Sequence, residues 1–163
     1  MLQKITDTTI AYLQGKVESG ANLIQLFDSW AGILPPPLFR TFALPYIQQI
    51  ASAIQAVPVT VFAKGAWFAL EDLDSIDCNV IGLDWCTSPA YARQYVNKVL
   101  QGNLDPCQLY GDKDSVKKAA LEMLDSFGGK HIANLGHGVY PDTPLDNVKV
   151  FVDTIKSAVY QPV

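Results

Sequence analysis

Short apolar runs recur along the chain, each closed by a polar or glycine-bearing turn and followed by a stretch with helical spacing. Residues 1 to about 20 carry Ile5, Ile10, Leu13 and Val17 near helical spacing, and Gly20 ends that helix. Residues 21–28 read as a strand with Leu23, Ile24, Leu26 and Phe27. Pro35-Pro36-Pro37 then leads into a helix over 38–57, whose buried stripe is Phe39, Phe42, Ile47, Ile50 and Ile54. Pro45 lies inside it and is expected to kink or divide it, because proline removes a helical donor. A strand over 58–63 precedes a short helix over 67–76, where Glu71, Asp72 and Asp74 form a solvated acidic face. A third strand spans 79–83, followed by a helix over 89–96 with Pro89 at its first position and Thr87 or Ser88 as cap. A fourth strand, 98–101, ends at Gly102-Asn103-Leu104-Asp105-Pro106. Asp114 or Ser115 starts a helix over 116–127, and Gly128-Gly129 ends it. Residues 132–135 read as a buried strand, and 146–160 as a closing helix opened by Asp146.

This order, one helix and then about five βα units, implies an α/β fold with a parallel sheet and right-handed crossovers. The strands read as continuous apolar runs, as strands covered on both faces do. The turns after them, Asp28-Ser29, Lys64-Gly65, Asp84-Trp85, 103–105 and Gly136-His137-Gly138, then belong to one rim. A closed (β/α)8 barrel places its site on such a rim but needs eight strands and about 250 residues. Two architectures fit: an open sheet, or the later part of a barrel.

Composition narrows the function classes. The chain has 163 residues, 49% of them hydrophobic and 17% charged, which indicates one domain with a buried core. Twelve Lys and Arg against 16 Asp and Glu give a net charge of −4. No basic patch with interleaved aromatics is present, so nucleic acid is not an expected partner. No apolar run approaches the ~18 residues of a membrane span, and Met1-Leu2-Gln3-Lys4 lacks a leader's apolar core. Cys78, Cys86 and Cys107 show no CxxC spacing, which suits structural thiols in a reducing, cytoplasmic setting and no metal site.

His137 is the foremost chemical candidate. It stands between Gly136 and Gly138 just past a strand's end, where α/β folds present reactive groups. The plainer alternative is an imidazole bonded to a neighbouring carbonyl. Five segments in series then carry a resemblance: Phe27-Asp28-Ser29-Trp30-Ala31-Gly32, Phe62-Ala63-Lys64-Gly65, Gly82-Leu83-Asp84-Trp85, Leu100-Gln101-Gly102-Asn103-Leu104-Asp105-Pro106 and Asn134-Leu135-Gly136-His137-Gly138. In order and spacing the chain resembles the uroporphyrinogen decarboxylase family over nearly its whole length, matching the C-terminal half of the family's chain. The resemblance implies that residues 1–163 are the C-terminal part of a barrel domain, a partial (β/α)8 TIM barrel made of about the last five βα units. It implies a lyase that removes four acetate carboxyl groups from uroporphyrinogen III, giving coproporphyrinogen III, in cytoplasmic haem biosynthesis. It implies a tetrapyrrole substrate, a homodimer for the full-length family, and no metal or organic cofactor.

The resemblance assigns two substrate-binding residues, Ser29, whose hydroxyl meets a carboxylate, and His137, which donates to one when protonated. The alternative for Ser29 is a turn-forming hydroxyl. The resemblance assigns no catalytic residue to this chain. The family's arginine-rich segment, pyrrole-binding aspartate and pocket tyrosine belong to its N-terminal half. Arg40 and Arg93 fall in predicted helices and do not replace them. The expectation is that these 163 residues alone are inactive. A non-catalytic truncated or split-subunit form that associates with a partner is the alternative.

The remaining motif residues have plainer readings. Asp84 and Asp105 suit caps or turns, Lys64 a solvated cation, and Trp30, Trp67 and Trp85 packing. His131, at the opposite end of its strand from the rim, suits a structural or solvent-facing role. Cobalamin-linked methyltransferases share the superfamily but use zinc held by soft ligands, typically His-x-Cys after a strand. The corresponding Ala63-Lys64-Gly65 has neither.

Overall fold

A computed structural model describes residues 1–158. Strands β1 (Ile24–Asp28), β2 (Val59–Ala63), β3 (Val80–Gly82), β4 (Val99–Leu104) and β5 (His131–Leu135) form one sheet, ordered β1-β2-β3-β4-β5. Every neighbouring pair is parallel. A doubly wound sheet reverses its strand order at a switch point; this one never does, which is the wall of a barrel. The fold is α/β, a partial barrel of five consecutive βα units.

Curvature supports the same conclusion. Gln101 Nε2 on β4 donates to Gln25 Oε1 on β1 at 3.2 Å, although β2 and β3 lie between them. In a flat sheet three spacings of about 4.8 Å would hold those strands roughly 14 Å apart. The sheet therefore curls, and the two amides meet across its hollow.

The helices are α1 (Leu2–Glu18), α2 (Pro36–Phe42), α3 (Leu44–Ala53), α4 (Leu70–Ser75), α5 (Pro89–Ala92), α6 (Lys113–Phe127) and α7 (Leu145–Ser157). They cover the convex face. There Ile24, Val59, Val61, Ile81, Leu83, Leu100 and Leu104 pack in one apolar cluster with Phe39, Leu73, Val96, Leu109, Val116 and Phe127. Residues 159 and 160, placed in the last helix by the sequence pattern, lie outside the described residues.

Several expectations need correction. The predicted helix runs over 36–53 rather than 38–57, and it divides near Pro45 as expected, into two helices joined at Ala43. Phe42, at the end of the first, leaves the buried stripe and is 51% exposed. The acidic helix face is only partly solvated: Asp72 pairs with Arg40 at 2.7 Å, and Asp74 accepts the backbone N–H groups of Asn97 and Lys98. Helix α5 is a single turn whose leading residue, Ser88, makes no side-chain cap bond. Helix α6 is capped by Asp112, which accepts from Ser115 N at 2.8 Å, not by Asp114 or Ser115.

Two strands differ as well. β4 runs on through Gly102, Asn103 and Leu104 because β5 pairs with it there, Asn103 opposite Asn134 and Leu104 opposite Leu135. β5 is not a buried run. As an edge strand with one face toward the hollow it alternates in exposure, and Ile132 is 43% exposed.

The loops at the strands' C-terminal ends are fastened by Asp84, which is buried. Its Oδ2 accepts from Gly65 N at 2.5 Å, and its Oδ1 accepts from Cys86 N at 3.0 Å and from Thr87 Oγ1. Asn103 Nδ2 donates in turn to the carbonyls of Asp84 and Thr87, at 2.8 and 2.7 Å. The carboxylate thus ties together the loops after β2 and β3, and the Asn103 amide ties the second of them to β4.

At the other end of the sheet His131 is half-buried, stacked on Phe127 with ring centroids 3.7 Å apart, its Nε2 against the Gly102 carbonyl at 2.6 Å. Burial, reinforced by the nearby Arg93 charge, holds its pKa below the ordinary 6.5 despite that carbonyl.

Two outcomes follow from these contacts. Asp84→Ala strips buried donors of their acceptor and should destabilise the chain by roughly 3 kcal/mol, read by urea unfolding. The folded state favours neutral His131, so its contribution is full above the unfolded pKa and is lost as pH falls below it. Melting temperature should therefore drop on acidification from about pH 7 to pH 5, and His131→Asn should flatten part of that drop.

Candidate functional site

The parallel register decides which side chains face the hollow. Phe27, Phe62, Gly82, Gln101 and Ile132 are successive partners across the five strands and share the concave face. Gln25 and Thr60 lie two residues back on the same face. The concave face is open at its two edges, where Phe27 is 63% exposed and Ile132 43%, whereas Thr60 and Phe62 between them are buried.

The C-terminal ends meet at one rim. Lys64 N donates to the Asp28 carbonyl at 3.0 Å, Gly32 N to the Lys64 carbonyl at 2.8 Å, and Gly136 N to the Leu104 carbonyl at 2.7 Å. Ser29 follows β1 and His137 follows β5, so both stand at that rim. Asn103, expected in a rim loop, is instead inside β4.

Rings pave the mouth of the hollow. Phe27 meets Phe62 edge-on with centroids 5.9 Å apart. Phe62 lies nearly parallel to the His137 imidazole at 6.2 Å and 15°, and His137 in turn lies 5.9 Å from the Trp85 ring. Two glycines make this possible. A Cβ at Gly82 would stand 3.0 Å from Phe62 Cδ2, and one at Gly136 only 2.4 Å from Trp85 N. The backbone carrying His137 thus rests directly on the backbone of Trp85.

Below the rings is a cavity of about 200 Å³ whose lining includes Gln25, Gln101, Asn134 and His137. Its walls are two phenyl rings, an imidazole, two leucines and neutral amides, a surface suited to a flat pyrrole ring with a polar N–H group. Ser29 is exposed at the β1 end and does not line this cavity. A larger hollow of about 490 Å³ lies on the other side of β1, between α1 and α3. Its walls, including Ile5, Ile33 and Ile47, are mostly apolar and Asp28 is its only charged residue, so it offers no cation to an anionic ligand.

The arginines stand elsewhere. Arg40 is engaged with Asp72, and Arg93 donates to the carbonyls of Lys98, Gly129 and Lys130 at the opposite end of the sheet. Asp84 and Asp105 are loop acceptors, as their positions suggested, Asp105 taking the Cys107 N–H at 2.9 Å. Trp30 is 75% exposed and Trp67 55%, so neither is a core residue. Trp85 is half-buried against His137. The sequence reading passed over Gln25, Phe62, Gln101 and Asn134. Their signal is the period-two alternation that places Gln25 with Phe27 and Gln101 with Asn103 on one face.

Among the described residues no three His, Cys, Asp or Glu side chains converge as a metal-binding group, and no helix is long and apolar enough to cross a membrane. The family model for uroporphyrinogen decarboxylase (URO-D) matches residues 1–158. The chain is 45% identical over 160 residues to the uroporphyrinogen decarboxylase of Flavobacterium johnsoniae, covering 96% of this chain and 47% of that protein. It is 46% identical over 167 residues to the Homo sapiens uroporphyrinogen decarboxylase, covering 95% and 46%. Among solved structures, a methyltransferase from Methanosarcina mazei superposes with a TM-score of 0.81 at 27% identity, over 93% of this chain and 46% of that one. The chain spans about half the length of the curated relatives it matches. With every described residue inside the family match, the chain belongs to the uroporphyrinogen decarboxylase family.

Proposed function

We propose that these residues, as the C-terminal part of a barrel domain, supply one wall of a site that decarboxylates a carboxylated cyclic tetrapyrrole. The substrate is uroporphyrinogen, and four acetate carboxyl groups are removed to give coproporphyrinogen. The observation that carries this reading is the position of His137, stacked on Phe62 and tilted against Trp85 at the mouth of the concave cavity.

The chemistry makes matching demands. Loss of CO2 from a pyrrole acetate leaves an electron pair that a protonated pyrrole ring accepts, and a proton then completes the methyl group. Phe27 offers a face to a pyrrole ring with the buried Phe62 behind it, and Gln25, Gln101 and Asn134 offer amide groups to ring N–H groups. His137 donates to a carboxylate at one side of the rim and Ser29 to another at the β1 side. The three cysteines are free thiols, in keeping with a cytoplasmic setting.

A second reading is favoured by the open edges of β1 and β5 and by the exposure of Phe27 and Ile132. In it the chain acts only with a partner polypeptide that covers those surfaces. Both arginines point away from the hollow, so little positive charge faces a substrate with eight carboxylates.

The two readings are tested together. The 163-residue chain produced alone is expected to release no coproporphyrinogen from uroporphyrinogen, and turnover by a clean sample overturns that. Co-production with a polypeptide carrying the family's N-terminal half should restore turnover. In that pair His137→Ala should lower kcat/KM by about 10²-fold, whereas unchanged kinetics would remove His137 from the site.

A further inference from the structure

We propose that Lys64 and His137, which both rest against the Trp85 indole, form a carboxylate-receiving subsite, with Lys64 the cation that selects the anionic arm. The inference rests on the tetrapyrrole reading and names the polar contacts of one corner of that site.

Lys64 directly follows β2, at the rim. Its Nζ stands 5.1 Å from the centroid of the Trp85 ring, and the His137 ring is 5.9 Å from the same indole. The close contact of Gly136 with the Trp85 backbone fixes the loop that carries His137 against that indole. The two donors are therefore presented by elements that hold each other.

The ammonium is held without being neutralised. A ring quadrupole attracts a cation yet leaves its formal charge intact. Asp84, close in the fold, has both carboxylate oxygens occupied by Gly65 N–H, Cys86 N–H and the Thr87 hydroxyl. Among the described residues Lys64 makes no ion pair. A preplaced, uncompensated ammonium and an imidazole, each resting against one indole at the rim, match a carboxylate carried on a short arm of the macrocycle.

The test is a fluorescence titration of the 163-residue chain, co-produced with a polypeptide carrying the family's N-terminal half, with coproporphyrin and with the same macrocycle after its carboxylates are esterified. Lys64→Gln should weaken coproporphyrin binding roughly tenfold, the scale of one charge-assisted hydrogen bond. Lys64→Arg should stay within about twofold of the parent, because the charge is kept. Lys113→Gln, which removes an equal charge from an exposed pair with Asp146, should change nothing. The esterified macrocycle should bind the parent and Lys64→Gln equally. If Lys64→Gln binds coproporphyrin as the parent does, or Lys64→Arg loses as much as Lys64→Gln, the subsite is wrong and the tetrapyrrole reading stands. If the parent pair binds no coproporphyrin, both fall.

Discussion

The buried carboxylate of Asp84 is the contact on which the rim depends. Removing a carboxylate from water is costly unless donors replace the hydration it loses. Here backbone N–H groups of two loops and one hydroxyl do so, without a counterion. The bond to Gly65 crosses from the β3 loop to the β2 loop, and the amide of Asn103 extends the network to β4. Three consecutive βα units therefore present their C-terminal ends as one body, and the side chains mounted there inherit that rigidity. Because backbone donors satisfy Asp84, the cations nearby are left for other anions.

The sheet has two unlike faces. The convex face is closed by helices and carries the continuous apolar core. The concave face carries a mixture: phenyl rings toward the rim, amides deeper, and Ile132 on the edge strand. A parallel sheet buried on both faces has no need of glutamines inside it. Their presence in β1 and β4 marks the hollow as a place where polar atoms are wanted. The aromatic series from Phe27 to Trp85 then lies where the strands open toward the loops, the end at which barrel folds keep their chemistry.

Much of this was legible in the chain itself. The βα order, the break before Pro45, the end of α6 at Gly128 and the turns at strand exits are local events, written in proline, glycine and apolar spacing. What escaped is set by contacts distant in sequence. Gly102-Asn103 reads as turn chemistry, yet β5 recruits it into β4 and the Asn103 amide is satisfied by carbonyls near position 85. Asp112 and Asp114 are equally good capping residues on paper, and only the path of the preceding loop chooses between them. The inward alternation of β1 and β5 was hidden because apolar residues occupy both faces of those strands. The His137 turn was visible as a glycine-flanked imidazole, whereas its stacking on Phe62 needed the sheet to curl.

The Gln25 to Gln101 bond has a geometric consequence. It is a chord drawn beneath an arc of four strands, and a chord of set length fixes the radius of its arc. The bend of this wall is thus braced from within by two uncharged amides, whatever completes the circle beyond β1 and β5. The brace belongs to the segment itself, so its curl is held before any guest arrives.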